Sequence, residues 1–247
     1  MIDDIHSRMQ MATHYLDLMD RIEYRRVETT EDLETVGALR AKAYQAHNLT
    51  THNGSMIDDL DYKENAYIFT VYYEERLIST IRLHHMTADQ RDSTSIKLFP
   101  DVLNPLLDQG MTFIDPVRHA SDPELMGELP LPFLTLRLGA MATEYFDTNY
   151  CLAPVRRAHS AFYRRFFGAT QLAEERKLEG IHDPIGLFAG RLVSSNTRLM
   201  DRYPFFRSTP RERELLFAPA EKLGVTPLTV RPTARFALAR AKRPVAA

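Results

Sequence analysis

The chain has no tryptophan, one cysteine (Cys151), only ten glycines in 247 residues, and no apolar run long enough to span a bilayer. A lone cysteine excludes an internal disulfide and suits a reducing compartment, so a cytoplasmic protein is expected. The missing apolar run excludes a membrane-spanning helix, and Asp3 and Asp4 stand where a signal peptide would carry base. His84, His85 and His119 show no ligand spacing toward other metal donors, so no metal is expected and these histidines read as structural or surface residues. From Arg202 onward there are ten Lys and Arg against three Asp and Glu, yet no interleaved aromatics or helix-turn-helix pattern, so nucleic acid is not an expected partner.

What is present is enough apolar content, 44% against 26% charged, to bury one sizeable core. The pattern divides the chain into an amphipathic helix over 1–22, a main domain over 23–200 and a basic, proline-containing tail over 201–247 that is expected to attach loosely, with at most one short helix. Ile5, Met9, Ala12, Leu16 and Met19 recur at helical spacing. Tyr24 to Val27 reads as a strand, and Thr29 with Asp32 resembles a capping box opening a helix to Tyr44. On that helix Arg40 shares the stripe of Leu33, Val36 and Tyr44, and a guanidinium placed there needs a partner in the protein or the substrate.

Gln45 to Leu60 is a polar loop of the kind that lids a site, ending in the acids Asp58, Asp59 and Asp61. Tyr67 to Tyr73 and Leu77 to Leu83 form a hairpin, with Arg82 on its second strand. Ser93 to Leu107 reads as a connection. Pro130 and Pro132 introduce a helix to Phe146, Asn149 to Val155 is a short strand carrying an inert Cys151, and Arg156 to Phe167 is a helix ended by Gly168. Two strands follow near 170–178 and 185–192.

The stretch Gly110 to Ser121, GMTFIDPVRHAS, interrupts a buried strand with Asp115, Pro116 and Arg118. Strict alternation separates Asp115 from Arg118, but a proline inside a sheet implies an edge or a bulge, and a bulge here brings the two toward one side. Such a bulge frees backbone N–H groups that can hold a carbonyl oxygen while a carboxylate takes a proton; an ion pair at a strand end is the plain alternative. Arg40, Arg82 and Arg118 with Asp58, Asp61 and Asp115 make either a structural network or a site for a zwitterion.

The order strand, helix, lid, hairpin, central strand, helix, strand, helix, strand resembles the GNAT acyltransferase fold, an α/β (α+β) architecture with a mixed central sheet and a splayed strand pair. Leu39-Arg40 with Tyr44, the pair Asp58 and Asp61, Ile81-Arg82-Leu83 and Asp115-x-x-Arg118 resemble, in order and spacing, the signature positions of acyl-homoserine-lactone synthases and the related N-acyl amino acid synthases. The run HSAFYRRFFGA, residues 159–169, is similar to the latter family, and the resemblance extends from Ile22 to Leu192. Lactone synthases usually carry a lid tryptophan and a glutamate where this chain has Asp115. The glycine-rich loop that holds a coenzyme A pyrophosphate is also missing, because SDPELMGELPLP offers one glycine and three prolines.

The resemblance therefore implies a fatty acyl donor borne on the phosphopantetheine of acyl carrier protein, with acyl-CoA as the alternative donor and no permanently bound cofactor. The acceptor it implies is the α-amino group of a small amino acid. It further implies a thioester seated between the splayed strands, Asp115 assisting deprotonation, Tyr163 protonating the departing thiolate, and Arg40, Arg82 or Arg118, beside Asp58 and Asp61, holding the substrate carboxylate. Arg156, Arg157, Arg164 and Arg165 offer a basic patch to an acidic carrier protein. The helix to Phe146 and Phe162, Phe166 and Phe167 would line the acyl slot, and any membrane contact would come through the product or the termini. The rival readings are a CoA-dependent acetyltransferase of a small amine and a non-catalytic module that binds acyl carrier protein.

Overall fold

Alternating apolar residues build a seven-stranded sheet of order β1-β2-β3-β4-β5-β7-β6 in a computed structural model that describes residues 13–50, 54–192, 197–224 and 229–241. The strands are β1 (Ile22–Arg26), β2 (Ala66–Tyr73), β3 (Arg76–Met86), β4 (Phe113–Ser121), β5 (Tyr150–Arg156), β6 (Thr170–Arg176) and β7 (Ile185–Gly190). All neighbours run antiparallel except β4 and β5. The β2–β3 hairpin turns through Glu74 and Glu75, both at positive φ (48° and 67°), the handedness a tight hairpin needs. Ile68 and Phe69 pack into different clusters, one with Leu33 and Val36 of the Thr30–Ala46 helix, the other with the main core, as the two-residue strand period requires.

The expected helix caps are present. The Thr29 side chain accepts from the Asp32 N–H, and Gly168 closes the Arg157–Phe167 helix in the left-handed conformation at φ 63°. The helix begun at Pro130 spans Leu131–Tyr145 and buries Leu134, Leu138 and Met141. The supposed connection after Ser93 instead forms two helices, Thr94–Leu98 and Pro100–Asp108, whose Leu103 and Leu107 pack with Phe99 and Phe113 in a second cluster.

Of the two terminal readings, that of the tail needs correction, both in its loose attachment and in its single short helix, since Pro210–Phe217 and Ala234–Ala241 are both helical. Residues 13–19 are helical and Leu16 and Met19 are buried in the main core; Ile5, Met9 and Ala12 of that expected helix lie outside the described residues. The segment after residue 200 is not loosely attached, because Tyr203, Phe205, Phe206, Leu216, Phe217, Val230 and Ala234 belong to the same core. Burying one such aromatic or leucine contributes about 1.5–3 kcal/mol, which explains why a basic composition does not keep the segment in solvent. Arg137 fixes it further. This fully buried guanidinium pairs with Glu212 at 2.5 Å and donates to the carbonyl oxygens of Phe205 and Arg207, while Tyr24 and Val230 form an isolated β-bridge.

Between β4 and β5 the register covers only Phe113 with Tyr150 and Ile114 with Cys151, after which the strands part. The Tyr150 N–H donates toward the Thr112 carbonyl at 3.4 Å. By alternation, the rungs beyond Ile114 would require N–H groups from Pro116 and Pro154, and proline has none. The splay thus follows from two prolines, one on each strand of the single parallel pair.

Candidate active site

The parted strands enclose a cavity of about 230 Å³ lined from both sides: Pro116, Val117, Arg118 and His119 of β4, and Cys151 to Arg156 of β5. Tyr44 of the Thr30–Ala46 helix, Thr94 and Ser95, Leu136, and His159, Tyr163 and Phe167 of the Arg157–Phe167 helix complete much of the wall. Gly139 packs behind this wall, where a Cβ would make ordinary contacts with Pro116 at 3.4 Å and the Cys151 sulfur at 3.6 Å. Burial pushes the Cys151 thiol up to about 12, so it is a neutral wall residue despite its place in the cavity.

The bulge expected in β4 is present, one turn of the ladder later than Pro116 suggests. Asp115 and Pro116 pair in regular register with His84 and Leu83, whereas Arg118 and His119 together stand opposite Ile81. Arg118 takes φ 53°, the strained left-handed region that a bulge residue can occupy. The extra residue breaks the ladder with β3 at a stretch of β4 that lines the cavity.

The bulge does not bring Asp115 to Arg118. Asp115 is fully buried and does not line the cavity; its Oδ2 accepts the Ser95 N–H at 3.1 Å and its Oδ1 the Ser95 hydroxyl at 2.7 Å. Burial pushes its carboxyl upward, against the Ser95 and Ser93 hydrogen bonds and the Arg82 charge. Its contact with the cavity is therefore indirect, through Ser95.

Arg118 pairs instead with Asp58 at 2.6 Å. From there the ion pairs run inward: Arg82 to Asp58 at 2.6 Å and to Asp61 at 2.8 Å, and Arg40 to Asp61 at 2.9 Å. Five of the six charged residues singled out in the sequence thus form one chain. Asp58 caps the short helix Asp59–Tyr62 with Asp61 reciprocating, which fixes both carboxylates before either meets a guanidinium. Burial alone would raise Asp58, but Arg82 and Arg118 outweigh it and hold its carboxyl well below the usual range. Three guanidiniums face two carboxylates here, and Arg118 is the member that reaches the cavity. Arg40 Nη1 also donates to the Met56 carbonyl, and the Met56 N–H donates to Gly37, where a Cβ would lie 2.1 Å from the Ser55 oxygen. Met56 is thereby held against the helix at that glycine.

Tyr163 lines the cavity, half-buried, and burial pushes its hydroxyl upward so that it stays protonated. The four arginines do not act alike. Arg157, Arg164 and Arg165 are exposed, but Arg156 pairs with Asp183 at 2.9 Å and belongs to the cavity rim. Of the three phenylalanines, Phe167 lines the cavity, while Phe162 and Phe166 pack around Phe133.

The histidines need individual treatment. His84 is buried and held down to about 3 by burial and the Arg82 charge, and His85 stacks on Phe146 at 4.2 Å. His119, expected to be structural or superficial, lines the cavity. Its signal was its position one residue past Arg118, which exposes it to the cavity only if the bulge falls there. Among the described residues, no group of three or more His, Cys, Asp and Glu is placed to hold a metal ion, and no helix is long and apolar enough to cross a membrane.

A sheet splayed at one parallel pair, with a bulged strand on one wall of the cavity, defines a GNAT-like acyltransferase. The chain belongs to the family of N-acyl amino acid synthase FeeM, whose profile matches residues 35–191, and it is an acyltransferase. Among solved structures it is similar to FeeM, an N-acyl amino acid synthase from uncultured soil microbes, at 17% identity over 70% of this chain and 91% of that one, with TM-score 0.57. It is similar also to TofI, solved in a ternary complex with an inhibitor and MTA, at 10% identity over 73% and 96%, TM-score 0.50. The AHL synthase LasI aligns at 15% identity over 68% and 88%, TM-score 0.49. No curated protein matches the sequence.

Proposed function

We propose that the protein transfers a long-chain fatty acyl group from the phosphopantetheine of acyl carrier protein to the α-amino group of an amino acid. The observation that carries this reading is the cavity between β4 and β5, whose lining includes the apolar Leu136, Phe167 and Leu192 and the cationic Arg118. An acyl chain suits the first and an amino acid carboxylate the second, because the arginine chain carries one more positive charge than its acids neutralise. The thioester carbonyl then lies at the bulge of Arg118 and His119, where a backbone donor stabilises the oxyanion. Arg82, Arg40, Asp58 and Asp61 hold Arg118 in place rather than touching substrate. Asp115 positions Ser95, and the Tyr163 hydroxyl offers a hydrogen to the departing sulfur.

Carrier protein is favoured over CoA as donor by the β4-to-helix loop. Asp122 and Glu124 lie there, already paired with Lys42 and Arg76, and the loop's one glycine, Gly127, leaves little backbone to cradle a pyrophosphate. Exposed Arg157, Arg164 and Arg165 suit an acidic carrier. Mass spectrometry of lipids from a bacterium expressing the protein tests the reading, since it reports donor and acceptor in one product. N-acyl amino acids absent from the empty-vector strain are expected; lipid extracts identical to that strain's would contradict it.

A further inference from the structure

We propose that His119 is the proton acceptor for the attacking amine, an inference that rests on the acyl-transfer reading above. The geometry singles out this imidazole. It is the second residue of the β4 bulge, so the same break in the ladder that offers a donor to the thioester oxygen delivers the His119 side chain to the cavity beside it. Asp115, the carboxylate nearest in sequence, is closed off behind Ser95. Asp58 is neutralised by two guanidiniums.

Charged and polar groups from four elements lie on the cavity wall with His119 or beside its ring. Arg118 precedes it on β4, the Ser121 hydroxyl lies 3.2 Å from its Nε2, Arg156 comes from β5, Tyr44 from the Thr30–Ala46 helix, and His159 and Tyr163 from the Arg157–Phe167 helix. Burial first, then the neighbouring His159, holds the imidazole down to about 4. His119 is therefore neutral at pH 7, and a neutral imidazole keeps one ring nitrogen that can take a proton. An imidazole so depressed is a weak base in the empty site. A substrate carboxylate on Arg118 adds an anion nearby and moves the imidazole back toward its usual range, so the base strengthens when the acceptor is bound.

The step balances within the site. The amine lone pair forms the C–N bond at the thioester carbon, and the carbonyl π pair moves onto oxygen at the bulge. A proton passes from the ammonium to the neutral ring nitrogen of His119. The oxyanion re-forms the carbonyl, the C–S bond breaks, and the thiolate is protonated by Tyr163, which the His119 imidazolium then reprotonates. Thioester and amine become amide and thiol, with no other reactant.

The test compares wild type with His119→Gln in purified form, using a long-chain acyl carrier donor and an amino acid that the wild type accepts. The glutamine side chain keeps the size and a polar contact to Ser121 but takes no proton, so kcat is expected to fall at least about a hundredfold with the acceptor's KM within about threefold. A second measurement on the wild type stands independently of folding in the variant. Proton NMR of the His119 ring is expected to titrate well below the usual histidine range in free enzyme and to move upward when the acceptor amino acid saturates. A His119→Gln kcat within about threefold of wild type, or a ring titration that the acceptor does not move, would overturn the base while leaving the acyltransferase intact. A wild type that acylates no amino acid would overturn both readings.

Discussion

Ser95 donates both its backbone N–H and its hydroxyl to the carboxyl group of Asp115, one donor to each oxygen. That pairing decides what the most conspicuous acid in the sequence does. A carboxyl wholly enclosed and wholly engaged orients the start of the Thr94–Leu98 helix, and through Ser95 it shapes a cavity wall rather than entering it.

Asp115→Asn reproduces the neutral form of this pair, with its oxygen accepting from the Ser95 N–H and its amide donating to the hydroxyl. It is expected to cost at most about 1 kcal/mol at neutral pH and to keep activity within about tenfold, whereas Asp115→Ala strands the Ser95 donors and costs about 1–3 kcal/mol. The sign of the pH effect follows from the raised carboxyl. A group raised in the folded state contributes stability that is complete below its unfolded value, about 3.9, and is lost as pH rises through the folded value. Denaturation midpoints of wild type and Asp115→Asn should therefore shift in the variant's favour as pH rises from about 4. Asp58 works oppositely in both proteins: its depressed carboxyl contributes stability above about 3.9 that is lost as pH falls. A loss of activity above about a hundredfold in Asp115→Asn would restore direct proton transfer to this residue.

The two prolines that end the β4–β5 ladder make a second expectation. Pro154→Ala restores one N–H facing the Pro116 carbonyl, and the double change with Pro116→Ala restores two rungs. The double variant should be more stable and should lose acyl transfer as the cavity narrows. Thermal melting and turnover measured together check this; an unchanged turnover in a stabilised double variant would show that the splay does not depend on the prolines.

Much of this was readable in the chain. Arg40 on an apolar stripe called for a partner in the protein or the substrate, which Asp61 proves to be, and Pro116 announced irregularity in β4. The rest was hidden for physical reasons. Where a bulge falls depends on the partner strand, so His119 could not be separated from Arg118 without β3 in place. Glu212 finds Arg137 across 75 residues, a pairing no local period reports, and so the segment after residue 200 reads as a tail although it closes the core.

Charge reversal at Arg157, Arg164 and Arg165 separates carrier docking from chemistry. The triple change should weaken use of the acyl carrier donor by about tenfold or more while leaving a short acyl-pantetheine thioester nearly unaffected. Wild-type use of the carrier should also decline with salt, since exposed charges are screened over about 10 Å at 0.1 M. Equal losses on both donors, measured by product formation, would move these arginines out of a docking role.

The measurement that bears most directly on the central claim is kcat/KM for a series of saturated acyl carrier donors, from acetyl upward, with one accepted amino acid. Each methylene buried against Leu136, Phe167 and Leu192 contributes up to about 0.8 kcal/mol. Two carbons therefore approach about a tenfold gain, until the cavity is full. A steep climb to a long-chain plateau, with N-acyl amino acid as the product at every length, is the predicted result. A maximum at acetyl, or a profile flat in chain length, would contradict it.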